Sequence, residues 1–389
     1  MKRLLLLGLI VCAITFVSSN ASAGSNGDAP QNGQNWIITQ DTHVWDEVVS
    51  VRDIVVNSGR TLKLENVSLT SHGFMEIRGE TRWINSTIYH EQDTDGDNIS
   101  LYSKLIIINS DLTLMTMQES SESTANCLDL NAGSTLLITD FDSNPDTTED
   151  QSNIKSDVSG KGNYTEKLDF TVQLGRLYNN AGGTGVPNTK VMIENSNFQY
   201  IKAIRFTGPG SYIRNSTFDL VSRINANMDN FIFTNNTFQN GFSGSDIYMA
   251  DANYALIKDN VFANGSHGIH IRDGNYITIK DNIFKDYEVK HGNQPGVIVI
   301  SQGSNHTISN NLFENNMIHD MSLQATDDNT ISHNDFNVTG VYWHNVMDRA
   351  GNRNEYSNNT FINCGSKQPY WGHSCMIFWF WDFNTDEYY

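Results

Sequence analysis

The sequence predicts an all-β chain, wound as a parallel β-solenoid of about 11–12 coils. Three observations carry this. The first is composition. The chain holds 47 Asn and 29 Gly in 389 residues, with 38% apolar and 18% charged residues. That is too poor in helix formers for a helical bundle, a coiled coil or an α/β enzyme with long helices. Its 19 Phe, 15 Tyr and 7 Trp also argue against disorder, because that much aromatic surface demands burial.

The second observation is a repeat that ends in Phe. It runs Asn195-Ser196-Asn197-Phe198, Asn215-Ser216-Thr217-Phe218, Asn235-Asn236-Thr237-Phe238 and Asp259-Asn260-Val261-Phe262. It continues through Asp281-Asn282-Ile283-Phe284, Asn310-Asn311-Leu312-Phe313, His333-Asn334-Asp335-Phe336 and Asn358-Asn359-Thr360-Phe361. The Phe-to-Phe steps are 20, 20, 24, 22, 29, 23 and 25 residues. The third is a second apolar column five residues earlier: Ile193, Ile213, Phe233, Ile257, Ile279, Ile308, Ile331 and Tyr356. Its neighbours are mostly polar, which is strand alternation with one buried face. Two residues before each Phe stands Ser or Asn. Asn tolerates left-handed backbone, and its amide can bond the same amide one layer away. One Asn column is therefore expected both to turn the chain and to lace its coils together.

Taken in order, residues 1–23 read as a secretory signal: Lys2 and Arg3, an apolar run over Leu4–Val17, then Ala21-Ser22-Ala23. Residues 24–50, with Trp36 and Trp45, are the expected N-terminal cap. The coils occupy 51–389, beginning with weaker copies at Asn66-Val67-Ser68-Leu69, Asn85-Ser86-Thr87-Ile88 and Asn109-Ser110-Asp111-Leu112. The repeat lapses over about 139–190, where Asp140, Asp142, Asp146, Glu149 and Asp150 precede Gly182-Gly183-Thr184-Gly185. This reads as an irregular acidic insertion or a distorted pair of coils. The eight strong copies follow. The tail Phe378-Trp379-Phe380-Trp381 is expected to close the far end. Cys364 and Cys375 are close enough to pair in an oxidising compartment, and three free thiols are the alternative.

The repeat resembles the right-handed parallel β-helix of the pectin-lyase-like superfamily, over roughly residues 50–365. Its Asn column and stacked Phe carry the likeness. The resemblance implies fold more than activity, and points to polysaccharide as the partner.

Asp229, Asp251 and Asp273 recur at intervals of 22 residues. In one column they would stand ~5 Å apart, a spacing suited to an acid/base carboxylate pair or a cation. His267, His270 and Arg272 lie close by in sequence, as do Tyr248, Lys258 and Lys280. The six residues Asp229, Asp251, Asp273, His267, His270 and Arg272 are the candidate catalytic set. Turn chemistry is the competing account of the Asp column. Asn227-Met228-Asp229 is similar to the first motif of the polygalacturonases. There the likeness thins: Asp251 is followed by Ala252 instead of a second Asp, and Ser266-His267-Gly268 matches the third motif in part. In lyases of the superfamily a basic pair neutralises the uronate carboxylate; Lys258, Lys280 and Arg214 share a column that would serve. Spaced three apart, His267 and His270 should face opposite ways on a straight strand, so that a shared metal would need a bend between them. Asp93-Thr94-Asp95-Gly96-Asp97 resembles the start of a calcium loop, and Asp93, Asp95 and Asp97 are the candidate Ca²⁺ ligands. Lys104 stands where a closing Glu belongs.

The formal charge is -19. This disfavours nucleic acid and repels a polyanionic polysaccharide unless a cation bridges it. No run after the signal is apolar enough to span a bilayer. The expectation is an exported monomer, secreted or at the cell surface. It would act on extracellular polysaccharide, as a glycoside hydrolase or a polysaccharide lyase. The alternative is a non-catalytic adhesive rod, and a periplasmic metal carrier would rest on the histidines alone.

Overall fold

The computed structural model describes residues 24–25, 30, 32–91, 98–115, 128–140, 151–157, 189–201, 203–241, 245–288, 296–337, 345–362, 375–379, 381–382 and 387–388. The signal segment 1–23, Asp93, Asp95, Asp97, Cys127, Cys364 and most of the acidic insertion lie outside them. Among the described residues there is no helix, and the strands stack in three faces. One face, here the Ile sheet, runs from Thr42–Trp45 to Glu355–Ser357; a second, the Phe sheet, runs from Val48–Val51 to Thr360–Ile362. The third face is split into a five-stranded block ending at Leu128–Leu130 and an eight-stranded block from Ile204–Phe206 to Met376–Trp379. All neighbours in these faces pair parallel; the short strand Gly24–Ser25 alone crosses antiparallel onto Thr42–Trp45. The chain is a right-handed parallel β-helix.

The two apolar columns line its interior in strict register. Phe198, Phe218, Phe238, Phe262, Phe284, Phe313, Phe336 and Phe361 pair rung to rung. Rings from Phe262 to Phe361 stack at 4.8–5.1 Å, in the offset range that favours aromatic pairs. The Ile column pairs likewise and is buried from Ile193 to Ile331. Two further strand pairs escape the repeat. Thr42–Trp45 and Val48–Val51 form a first coil inside the segment read as a cap. Thr135–Thr139, just before the irregular stretch, and Ser152–Asp157, within it, form another.

The expected Asn column turns out to be two. The residue three before each Phe takes the left-handed backbone, from Asn195 (φ 45°) to Asn358 (φ 53°), with Asp259, Asp281 and His333 equally at home. The next residue points inward and laces the coils. The Asn236 amide donates to Asn260 Oδ1, and the chain of bonds passes to Asn282, Asn311, Asn334 and Asn359 at 2.9–3.2 Å. Each amide also donates to a main-chain carbonyl, such as Ile257 O for Asn282 (3.0 Å). Nearer the N-terminus Ser does a smaller version: Ser86, Ser110 and Ser152 accept from the main chain of the preceding coil. The C-terminal tail is partly absorbed into the third face, where Met376–Trp379 pairs with Val346–Arg349. Phe378 meets Tyr356 edge-on at 5.6 Å and stays exposed.

Candidate functional site

The Asp column does not exist as expected. Asp251 and Asp273 do align, since Ala250 pairs with Arg272, but both occupy left-handed corner positions (φ 54° and 57°). Asp229 belongs to a different column. It accepts from the Asn253 main chain and amide (both 2.9 Å) and begins a polar ladder through Asn253, Asn275 and Ser304. These three carboxylates therefore do not form a single stack: Asp229 leaves it, and the aligned pair Asp251 and Asp273 sits at left-handed corners. Corner chemistry accounts for them. The proposed basic column behaves similarly. Lys258 pairs with Asp259 at 2.9 Å and Arg214 with Glu194 at 2.5 Å, and both lie on the Ile sheet, away from His270.

The outward side of the third face is different. One column there reads Arg205, Asn225, Tyr248, His270, Val299, Ser322. Arg223 lies beside it, with its guanidinium carbon 5.4 Å from the Tyr248 ring centre. Tyr248 and His270 meet edge to face at 5.2 Å. Arg272 lies near Tyr248 and reaches Asp273 at 3.3 Å, and both raise the guanidinium above its ordinary pKa. Four coils thus bring together three guanidinium groups, a phenol and two imidazoles.

His267 joins this face because the strand His267–Arg272 is not straight. The N–H groups of Gly268 and Ile269 both donate to Val297 O (3.0 and 2.8 Å), and both residues turn inward. This is a β-bulge, and it supplies the bend that a straight strand lacks. Gly268 eases the packing there: a Cβ would press tightly, at 3.0 Å from Val297 O and 3.3 Å from the Tyr287 hydroxyl. Beneath it Tyr287, wholly buried, donates to the carboxylate of Asp246. Burial and that carboxylate raise the Tyr287 phenol well above its ordinary range, so it remains a donor.

The electrostatics favour an anion. Burial pulls the pKa of Arg205 and Arg223 down, and Arg205 adds repulsion at Arg223. Among the described residues neither has a carboxylate partner, although the chain is strongly acidic. Burial also pushes His267 down to about 4 and His270 in the same direction, with Arg223 acting against the charged form of both. Both rings are neutral near pH 7. Asn225 is only 7% exposed, yet its Oδ1 has no hydrogen-bond partner among the described residues, nor have Arg205 Nε and His267 Nε2. Unpaired buried polar atoms are costly, and three of those found among the described residues lie on this face.

Of the candidate residues, the structure brings His267, His270 and Arg272 together and leaves Asp229, Asp251 and Asp273 at corners. Sequence reasoning missed Arg205, Arg223 and Asn225. The signal was available in principle: each precedes or occupies a short strand, Ile204–Phe206 or Ile224–Ala226, whose alternation turns it outward. Among the described residues no group of three or more His, Cys, Asp or Glu is placed to hold a metal ion. No helix among them is long and apolar enough to cross a membrane.

A family model described as a right-handed beta helix region matches residues 222–378. No curated protein matches. Among solved structures, a complex of the alginate lyase AlyF aligns with a TM-score of 0.52 at 12% identity, covering 86% of this chain and 81% of that one. A mannuronic acid specific polysaccharide family 6 lyase from human gut microbiota aligns at 0.34 and 12%, covering 90% and 86%. The surface protein and adhesin PfbA of Streptococcus pneumoniae aligns at 0.33 and 9%, covering 86% and 91%.

Proposed function

On the scaffold of a right-handed parallel β-helix of the pectin-lyase-like superfamily, we propose that this protein binds a uronate-bearing polysaccharide on its third face and cleaves it by β-elimination. The observation that carries this is the unpaired guanidinium pair Arg205–Arg223 beside Tyr248 and two neutral imidazoles. Arg binds carboxylate with fixed, forked geometry, and neutralising that carboxylate acidifies the adjacent sugar C–H. The neutral His270 takes the C5 proton. The electron pair forms the C4–C5 double bond and the C4–O bond breaks. The departing sugar oxygen takes its proton from the Tyr248 hydroxyl, with the Arg272 guanidinium nearby. His267, neutral under burial, stands near His270 and adds no charge beside it. That an alginate lyase shares the fold agrees with this reading.

The reading includes a place outside the cytoplasm. Residues 1–23 support it, as does Cys375, which is disulfide-bonded; structural disulfides persist in oxidising compartments. It also carries forward Ca²⁺ at Asp93, Asp95 and Asp97 as a cation that offsets the chain's acidity near a polyanion. The test is a panel of uronate and neutral polysaccharides, with and without EDTA, monitored by ultraviolet absorbance of the unsaturated product. Turnover of a uronate polymer that is lost in His270→Ala and Tyr248→Phe supports the reading. Turnover of neutral polymers only, or unaltered turnover in both variants, sinks it. Turnover that ignores EDTA removes the Ca²⁺.

A further inference from the structure

The same coils carry a second feature that the reaction does not use. Tyr254 and Tyr276 stand on the corner between the third face and the Ile sheet. They are 59% and 50% exposed, and their rings lie parallel within 6° at 5.1 Å between centres. Each adopts a left-handed backbone (φ 57° and 56°), a conformation that bulky side chains avoid. The corner itself does not call for them. Main-chain hydrogen bonds place Asn230, Tyr254, Tyr276, Asn305 and Asp328 in one column, which Arg353 continues, and Asn, Asp or Arg meets the same backbone demand at the other positions. Because the neighbours are short, each ring has one face covered by its partner and one face turned toward a small polar residue.

We propose that Tyr254 and Tyr276 form a sugar-stacking subsite that receives a pyranose ring of the same polysaccharide, outside the reacting residues. It deepens the reading above and rests on it. Position supports the link. Tyr254 follows Tyr248 on one coil and Tyr276 follows Arg272 on the next, each at the end of the strand that supplies the cationic face. An exposed tyrosine offers an apolar ring face to the C–H side of a sugar. Asp229, Asn253 and Asn275, in the ladder alongside, offer hydrogen-bonding groups for its hydroxyls. Tyr254 lies six residues beyond Tyr248, whose ring Arg223 contacts; at ~3.3 Å per extended residue that is on the order of 10–20 Å, more than one sugar, so the subsite selects for length.

The experiment titrates a uronate hexasaccharide and a uronate disaccharide into the full chain by calorimetry. The variants are the double exchange Tyr254→Asn with Tyr276→Asn, and separately Arg223→Ala. Asn is chosen because Asn230 and Asn305 already occupy this corner, so the fold is retained. The expected result is a roughly tenfold loss of hexasaccharide affinity in the Tyr double variant, with disaccharide affinity unchanged. Unchanged hexasaccharide affinity overturns the subsite while leaving the Arg face intact if Arg223→Ala still abolishes binding. Equal loss for both ligands also overturns it, since a length-independent effect means a structural role. No binding of either ligand by the wild type overturns the subsite together with the reading beneath it.

Discussion

His306 shows how one residue can serve the fold and make it sensitive to acid. It is buried in a corner position where other coils use Asn; its Nδ1 accepts from the Ile277 main chain at 3.3 Å, and its own N–H reaches Asn329 Oδ1 at 2.9 Å. Burial holds its pKa down at about 4, against an ordinary 6.5. The fold therefore favours the neutral ring. That contribution is complete above about 6.5 and is lost as pH falls toward 4. His267 acts with the same sign. Buried Asp320 acts with the opposite one: burial raises it from 3.8 to about 7, so its stabilisation by proton retention is lost as pH rises through that window. Comparing wild type with His306→Asn cancels the Asp320 effect. Urea midpoints should fall more steeply in the wild type than in His306→Asn between about pH 6.5 and 4.5. Parallel curves would mean the ring is not held neutral. None of this was legible in the sequence, where His306 is one more histidine outside the aligned Phe columns.

At the scale of the element, what the sequence displayed and what it hid divide along one line. Columns that repeat once per coil were readable: the Phe stack, the Ile column and the Asn turn all announce themselves by recurrence. The merging of two neighbouring columns into one Asn role was the error, and it has a physical cause. Asn suits both a left-handed corner and an inward ladder, so composition cannot separate them; Asp259 beside Asn260 and His333 beside Asn334 do so in the structure. The ladder makes a prediction of its own. Asn282→Ala removes the partners of Asn260, Asn311 and Ile257 O together, and should cost about 1–3 kcal/mol in urea unfolding. A change within experimental scatter would show that the amide chain adds little to main-chain pairing. Tyr248, His267, His270 and Arg272 were picked out in the sequence, but the arginines that complete the site stayed hidden because the site does not repeat. Arg205, Arg223, Tyr248 and His270 occur once each on successive coils, and the bulge at Gly268 that turns His267 outward breaks the alternation on which the reading of the two histidines relied.

At the scale of the whole molecule, the formal charge of -19 pointed away from a polyanion, and the third face points toward one. The two statements concern different lengths. Net charge governs long-range encounter and is screened within about 10 Å at ordinary salt, whereas a buried guanidinium pair acts at contact. The β-helix makes this separation possible. Its Ile sheet carries paired surface charges such as Arg214–Glu194 and Arg353–Asp328 on its strands and flanking corner, while one stretch of another face gathers Arg205 and Arg223 from two adjacent coils, with no carboxylate partner among the described residues. The most direct test of the account is a calorimetric titration of one uronate oligosaccharide, and of its neutral counterpart, into wild type and Arg223→Ala. The account predicts that the wild type binds the uronate and not the neutral sugar, and that Arg223→Ala weakens uronate binding at least tenfold. Equal binding of the two sugars, or undiminished uronate binding in Arg223→Ala, would contradict it.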